Sequence, residues 1–175
     1  TVAECGGVHV THVRYDLGDG VFDGFREALK IARLSGCPVH ISHFFATIPL
    51  RGQTARMLRF VDEARASGVD LTFDAYPYEA GSTTMTITVP QWAQSGGQSS
   101  KILGQIEGMV LSAVKTKKNR WYQGMTVAEA ARKLKKDPWD MICDLMVAEN
   151  LEVAFYTFGG DMNDVKAIMP HPAHM

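Results

Sequence analysis

The sequence predicts an α/β protein built on a parallel sheet. In its first half, short β-branched runs alternate with stretches of helical apolar spacing, in the order strand, helix, strand, helix, strand that marks βαβ units. Val39-His40-Ile41 and Leu71-Thr72-Phe73 are not cleanly amphipathic, which suits strands covered on both faces. At 175 residues, 46% apolar and 21% charged, the chain can bury the core of one domain or a large piece of one.

Each element follows from local signals. Residues 8–15 are rich in β-branched side chains and read as a strand, broken by Gly18-Asp19-Gly20. Residues 21–34 carry Phe22, Phe25, Leu29 and Ala32 at helical spacing, with Gly36 as the stop. Residues 38–43 form a second strand, 54–66 a second helix with Met57, Leu58 and Val61 on one face, and 69–76 a third strand. Residues 79–97, rich in Gly, Ser and Thr, read as a long irregular loop with some extended backbone, and 101–108 are ambiguous. Further on come a strand at 109–114 and a helix at 126–135 opened by the capping box Thr126-Val127-Ala128-Glu129. A helix at 137–149 follows with Pro138 in its first turn, then a strand at 152–158 and a short helix at 161–169. Together these make four or five strand–helix units. A closed (β/α)8 barrel needs roughly 250 residues, so the chain offers about half of one. An open doubly wound sheet fits the length, but the turn after the first strand lacks the glycine fingerprint of its nucleotide-binding form.

Composition excludes several classes. A formal net charge of -1 gives no electrostatic case for nucleic acid or an anionic membrane surface. The basic cluster at residues 115–120 is short and reads as a solvated loop. Cys5, Cys37 and Cys143 are odd in number and form no CxxC pair, which argues for a reducing, cytoplasmic setting. No apolar run approaches a membrane span, and no signal peptide is visible.

Four of the six histidines lie in two matched places, His9-Val10-Thr11-His12 and His40-Ile41-Ser42-His43. Side chains alternate along a strand, so residues three apart face opposite sides and only one of each pair can face a shared site. Active sites of parallel α/β folds lie at the C-terminal ends of the strands. His12 and His43 sit there, on consecutive strands, where two imidazoles can ligate one divalent metal. Hydrogen-bonded core histidines are the competing reading. His9 and His40 face elsewhere and read as structural. Nearby, Tyr76 can donate to a substrate carboxylate or carbonyl, or simply pack. Arg51 can bind a carboxylate bidentately or lie on the surface. Arg14 and Asp16 follow His12. Asp74 can support a metal-bound histidine or cap its strand. No serine nucleophile elbow is present.

These residues resemble a known family. Thr11-His12-Val13-Arg14, Pro38-Val39-His40-Ile41-Ser42-His43, Phe73-Asp74-Ala75-Tyr76-Pro77-Tyr78 with Ala80-Gly81-Ser82-Thr83-Thr84, Val89-Pro90-Gln91-Trp92, Lys118-Asn119-Arg120-Trp121 and Met169-Pro170-His171-Pro172 are similar, in order and spacing, to the N-acyl-D-amino-acid deacylase (D-aminoacylase) family of amidohydrolases. The resemblance covers nearly the whole chain. It implies a distorted (β/α)8 barrel of the metal-dependent hydrolase type, of which residues 1–175 are a C-terminal portion without the flanking strands and the small β-domain. It further implies one or two divalent ions, zinc first, held by His12 and His43, and a substrate carboxylate held by Tyr76.

The pattern is not matched throughout. Phe45 stands where many members carry a lysine for the substrate carboxylate; Arg14 or Arg51 are the candidates to replace it. The family's N-terminal His-x-His pair and ligating Cys would lie before Thr1, its catalytic Asp just past Met175, and the stretch between Gly97 and Met109 is short. The resemblance therefore implies hydrolysis of linear amides, with the isolated segment inactive. A cyclic-amide substrate, suited to the apolar Phe44-Phe45, and a non-catalytic binding remnant are the alternatives. The partner is a small-molecule amide, with no nucleic acid or membrane. The exposed edges of half a barrel favour self-association or flanking chain.

Overall fold

Three short strands and the helices between them build the part of the chain that carries the paired histidines. The structure, a computed structural model, describes residues 1–15, 21–46, 50–89, 91–93 and 106–175. It divides into two compact units, Thr1–Glu79 with Gly159–Met175, and Ala80–Phe158.

In the first unit β1 (His9–Thr11), β2 (Val39–Ile41) and β3 (Leu71–Phe73) form a parallel sheet in that order. The crossovers are α1 (Val21–Ser35) and α2 (Thr54–Ala66), which end at Gly36 and Gly68 in the left-handed conformation the sequence anticipates. Val39, Ile41, Leu71 and Phe73 are buried against Phe22, Phe25, Leu29, Met57 and Val61 of the helices. The register places Val10, His40 and Thr72 side by side on the opposite face. On that face Val10 is 60% exposed, whereas the side chain of His40 is 15% exposed. The strands are also shorter than the runs that announce them. The strands themselves end at Thr11, Ile41 and Phe73, and His43 already has φ 42.

After α5 (Met162–Ile168), whose cap is Asp161, the chain returns to the sheet. The Phe73 N–H donates to the Ala173 carbonyl and the Met175 N–H to the Phe73 carbonyl, at 2.9 and 3.0 Å, and Phe73 bridges His174 in parallel. The last residues thus stand beside β3 as a fourth parallel position, reached through α5.

The second unit departs from the expected run of parallel units. It is an antiparallel sheet of β4 (Ala80–Thr84), β5 (Val110–Val114) and β6 (Val153–Phe158) in the order β4-β6-β5, with α3 (Val127–Leu134) and α4 (Pro138–Ala148). β4 falls in the stretch read as a loop. Ala-Gly-Ser-Thr-Thr carries no apolar alternation, because the strand is largely exposed and owes its conformation to the ladder with β6. The helices start as read: Thr126 and Glu129 form the capping box, and the Asp137 carboxylate accepts from the Trp139 and Asp140 amides. The basic cluster leads into a 3₁₀ turn, Lys117–Tyr122. That turn is held from below by the fully buried Glu149 carboxylate, which accepts from the Thr116 N–H, the Thr116 hydroxyl and the Asn119 amide. No helix among the described residues is long and apolar enough to cross a membrane.

Candidate functional site

β1 and β2 deliver His12 and His43 to the same place. His12 directly follows the C-terminal end of β1 and His43 lies two residues past that of β2, and because the strands are parallel neighbours the two rings converge. Nδ1 of His12 lies 3.0 Å from Nε2 of His43, with ring centroids 4.7 Å apart. His43 gets there by an unusual route. Alternation alone would send it to the helix-covered face, opposite His40. Its backbone instead adopts φ 42, the left-handed region disfavoured for a residue with a Cβ, and the ring swings towards His12.

Several groups hold that conformation. One Asp74 oxygen accepts the His43 N–H at 2.5 Å, and the Asp74 main-chain carbonyl takes the next amide, Phe44 N–H, at 2.7 Å. On the other side, the Tyr15 hydroxyl donates to the His43 carbonyl at 3.1 Å. The second Asp74 oxygen, Oδ2, pairs with His40 Nε2 at 3.0 Å, and His40 Nδ1 meets the Thr72 hydroxyl at 2.8 Å. A carboxylate only accepts, so His40 Nε2 carries its proton.

The surroundings of His43 favour its uncharged form. Burial lowers the pKa of His43, and the neighbouring His12 lowers it further, which favours the neutral ring. Burial alone would raise the Asp74 carboxyl. The hydrogen bonds from His40 and from the His43 N–H outweigh it, and its pKa lies below the ordinary value. Burial pushes the Tyr15 phenol well up, so it stays a donor.

Around His43 lies an aromatic surround. Tyr76 stacks on it with centroids 5.7 Å apart and planes within 10°, its own side chain 42% exposed. Phe45 sits 6.1 Å from His43, 4.7 Å from Tyr15 and 6.5 Å from Tyr76. The two candidate arginines are engaged elsewhere. Arg14 forms a two-pronged ion pair with Glu27 of α1, and Arg51 donates through Nε and Nη2 to the Gly159 carbonyl. Asp16 lies outside the described residues.

Two features were missed in the sequence. His40 is structural, as read, but its hydrogen bond to Asp74 braces the site, which the reading did not include. The register could have revealed this, since residues 40, 72 and 74 share one face. Tyr15 was absorbed into a strand, and only the structure shows its hydroxyl under His43.

The rings suit a metal ion as two corners of a site. Two nitrogens bound to one tetrahedral zinc stand about 3.3 Å apart, close to the observed separation. Among the described residues no group of three or more His, Cys, Asp or Glu is placed to hold a metal, so the pair is an incomplete shell. Nδ1 of His43 and Nε2 of His9 are buried without a hydrogen-bond partner.

No family model matches the chain. It is 38% identical over 89 residues to an N-acyl-D-glutamate deacylase of Alcaligenes xylosoxydans xylosoxydans, covering 50% of this chain and 17% of that one. A D-aminoacylase of the same organism is 37% identical over 81 residues, 46% of this chain and 16% of that one. Among solved structures it resembles N-acyl-D-glutamate deacylase of Bordetella bronchiseptica, complexed with zinc and a phosphonate mimic of the tetrahedral intermediate. The TM-score is 0.75 at 26% identity, over 99% of this chain and 32% of that one. A D-aminoacylase described as defining a novel subset of amidohydrolases gives 0.73 at 27% identity, with the same coverage. Another D-aminoacylase structure concerns that enzyme's binuclear metal centre. The chain thus spans about a third of the solved relatives' length. The resemblance to this family read from the sequence is borne out.

Proposed function

Taking as premise that this chain is kin to the D-aminoacylases, we propose that its first unit is part of a (β/α)8 amidohydrolase barrel whose His12 and His43 hold a divalent ion, zinc in the first place. The observation that carries the reading is the 3.0 Å approach of two ring nitrogens at the C-terminal ends of neighbouring parallel strands. The strand order supports the barrel. β1, β2, β3 and the 173–175 segment follow one another without reversal, whereas a doubly wound sheet reverses direction at its switch point.

A bound zinc ion would polarise the amide carbonyl and acidify a water. The chain's own residues would then orient and frame the reaction. His12 and His43 would present ring nitrogens to the ion. Tyr76, stacked on His43 and partly exposed, offers its hydroxyl to a substrate oxygen. The general base, an aspartate by family resemblance, and the remaining ligands belong to other parts of the protein. The substrate is a linear N-acyl amide, as in the relatives. One observation favours a second reading: the wall beside His43 is Phe45, and both nearby arginines are committed to Glu27 and Gly159. A cyclic or otherwise carboxyl-free amide fits that wall better than an N-acyl-D-amino acid.

Metal analysis of the full-length protein, purified without chelator, tests the reading. We expect about one to two equivalents of zinc or another divalent ion, reduced in His12→Ala and His43→Ala. A wild-type protein free of divalent ions would make the chain a non-catalytic relative. Comparing turnover of N-acyl-D-amino acids with that of cyclic imides separates the two substrate classes.

A further inference from the structure

Both main-chain polar groups of His43 are taken by side chains from other parts of the fold. The N–H goes to the carboxylate of Asp74, just past β3, and the C=O to the hydroxyl of Tyr15, three residues past His12. This is an unusual arrangement. Most backbone groups in a parallel sheet pair with the neighbouring backbone, as Ser42 N–H does with the Thr11 carbonyl and Asp74 N–H with the Ile41 carbonyl. His43 departs from that pattern, and it is also the one non-glycine residue of the first unit's described residues with positive φ. A left-handed conformation at such a residue persists where surrounding contacts over-determine it.

We propose that Asp74 and Tyr15 are positioning residues that hold His43 in its left-handed conformation and so aim Nε2 at the point shared with His12, with His40 fixing the Asp74 carboxylate from beneath. The inference rests on the metal reading above and adds to it the residues that set the geometry. The carboxylate is well placed for this task. Its two oxygens are divided, one on the His43 amide and one on His40 Nε2, so it cannot rotate without losing a partner. Thr72 orients His40 in turn. A chain from the open sheet face, Thr72 to His40 to Asp74 to His43, therefore ends at the candidate ligand. Tyr15 adds a second anchor. It is buried, its ring packs edge-on against Phe25 and lies 5.5 Å from His12, so one side chain touches both halves of the pair.

If the ring is aimed through its backbone, loosening either anchor weakens the metal site without touching a ligand. Removing such outer partners costs about 10- to 100-fold in metal affinity. The test uses full-length protein and its Tyr15→Phe, Asp74→Asn, Asp74→Ala and His40→Gln variants. Zinc affinity is read by competition with a chromogenic chelator, and ligand geometry from the visible spectrum of the cobalt-substituted protein. We expect about a tenfold weaker site and an altered cobalt spectrum in Tyr15→Phe, which deletes one hydroxyl and keeps the ring. Asp74→Ala should lose about 100-fold. Asp74→Asn and His40→Gln, which can each restore part of the hydrogen bonding, should fall between Asp74→Ala and wild type. Unchanged affinity and spectrum in folded Tyr15→Phe and Asp74→Ala, with a metal-loaded wild type, overturn the positioning role and leave the metal reading intact. A wild type that binds neither zinc nor cobalt overturns both. Circular dichroism and thermal melts of every variant separate a lost anchor from a lost fold.

Discussion

Gly24→Ala puts two opposed rules against each other at one atom. Gly24 lies in the first turns of α1, where alanine is ordinarily favoured over glycine by about 1 kcal/mol. A Cβ built there would stand 2.7 Å from the Arg14 carbonyl oxygen and 2.9 Å from its nitrogen. Ordinary contacts begin near 3.4 Å, so the methyl is about 0.7 Å too close, and to backbone that cannot rotate away. Over-packing of this kind costs about 1–3 kcal/mol. The balance is a net loss of about 1 kcal/mol, or roughly 2–4 °C in melting temperature for a domain of this size. The clash also has an address. Arg14 is two residues past His12, so any shift of Arg14 that relieves the clash displaces the segment that carries the candidate ligand. Thermal unfolding of the full-length protein gives the sign directly, and chelator competition shows whether zinc affinity falls with it. A variant as stable as wild type, or more so, would mean that α1 does not press on Arg14 as described.

Three further outcomes are expected. Glu149→Ala leaves the Thr116 N–H, the Thr116 hydroxyl and the Asn119 amide without their acceptor, and should destabilise the protein by about 3 kcal/mol in urea unfolding. In the wild type those bonds overcome the upward push of burial and hold the Glu149 carboxyl below its ordinary 4.5, and Asp74 is likewise depressed. Their stabilisation is complete above the unfolded-state values near pH 4 to 4.5 and disappears as pH falls through the lower folded-state ones, so unfolding free energy measured against pH should drop below about pH 4.5, less steeply in Glu149→Gln. Thr126→Ala removes the N-cap of α3 and should cost about 1 kcal/mol in the same assay, with no change in metal content.

The first unit was legible because its signals are local. Phe22, Phe25, Leu29 and Ala32 mark the buried face of α1, and Gly36 ends that helix where the reading put it. β4 was not legible. Ala80-Gly81-Ser82-Thr83-Thr84 is a strand only because β6, more than sixty residues downstream, pairs with it. The antiparallel sense of the second sheet was hidden for the same reason: element type is encoded nearby, while pairing direction depends on what the chain meets later. A reading that extended the parallel rhythm past Glu79 had no local reason to stop.

The candidate site shows the same division more sharply. Alternation along a strand separates His40 from His43, and the rule that sites lie at the C-terminal ends of parallel strands picks out His43 as the partner of His12. The other member is structural, as its position suggests, but it is not remote from the pair. Alternation governs a strand only while it remains a strand, and β2 ends at Ile41. Past that point Asp74 and Tyr15 determine where His43 points, and His40, left on the open face, becomes the neighbour that fixes Asp74. Spacing in the sequence thus identifies which histidine reaches the shared point. What it cannot contain is the conformation with φ 42 that takes the ring there, because the groups that impose it come from three separate segments and acquire their roles only once the parallel register is set.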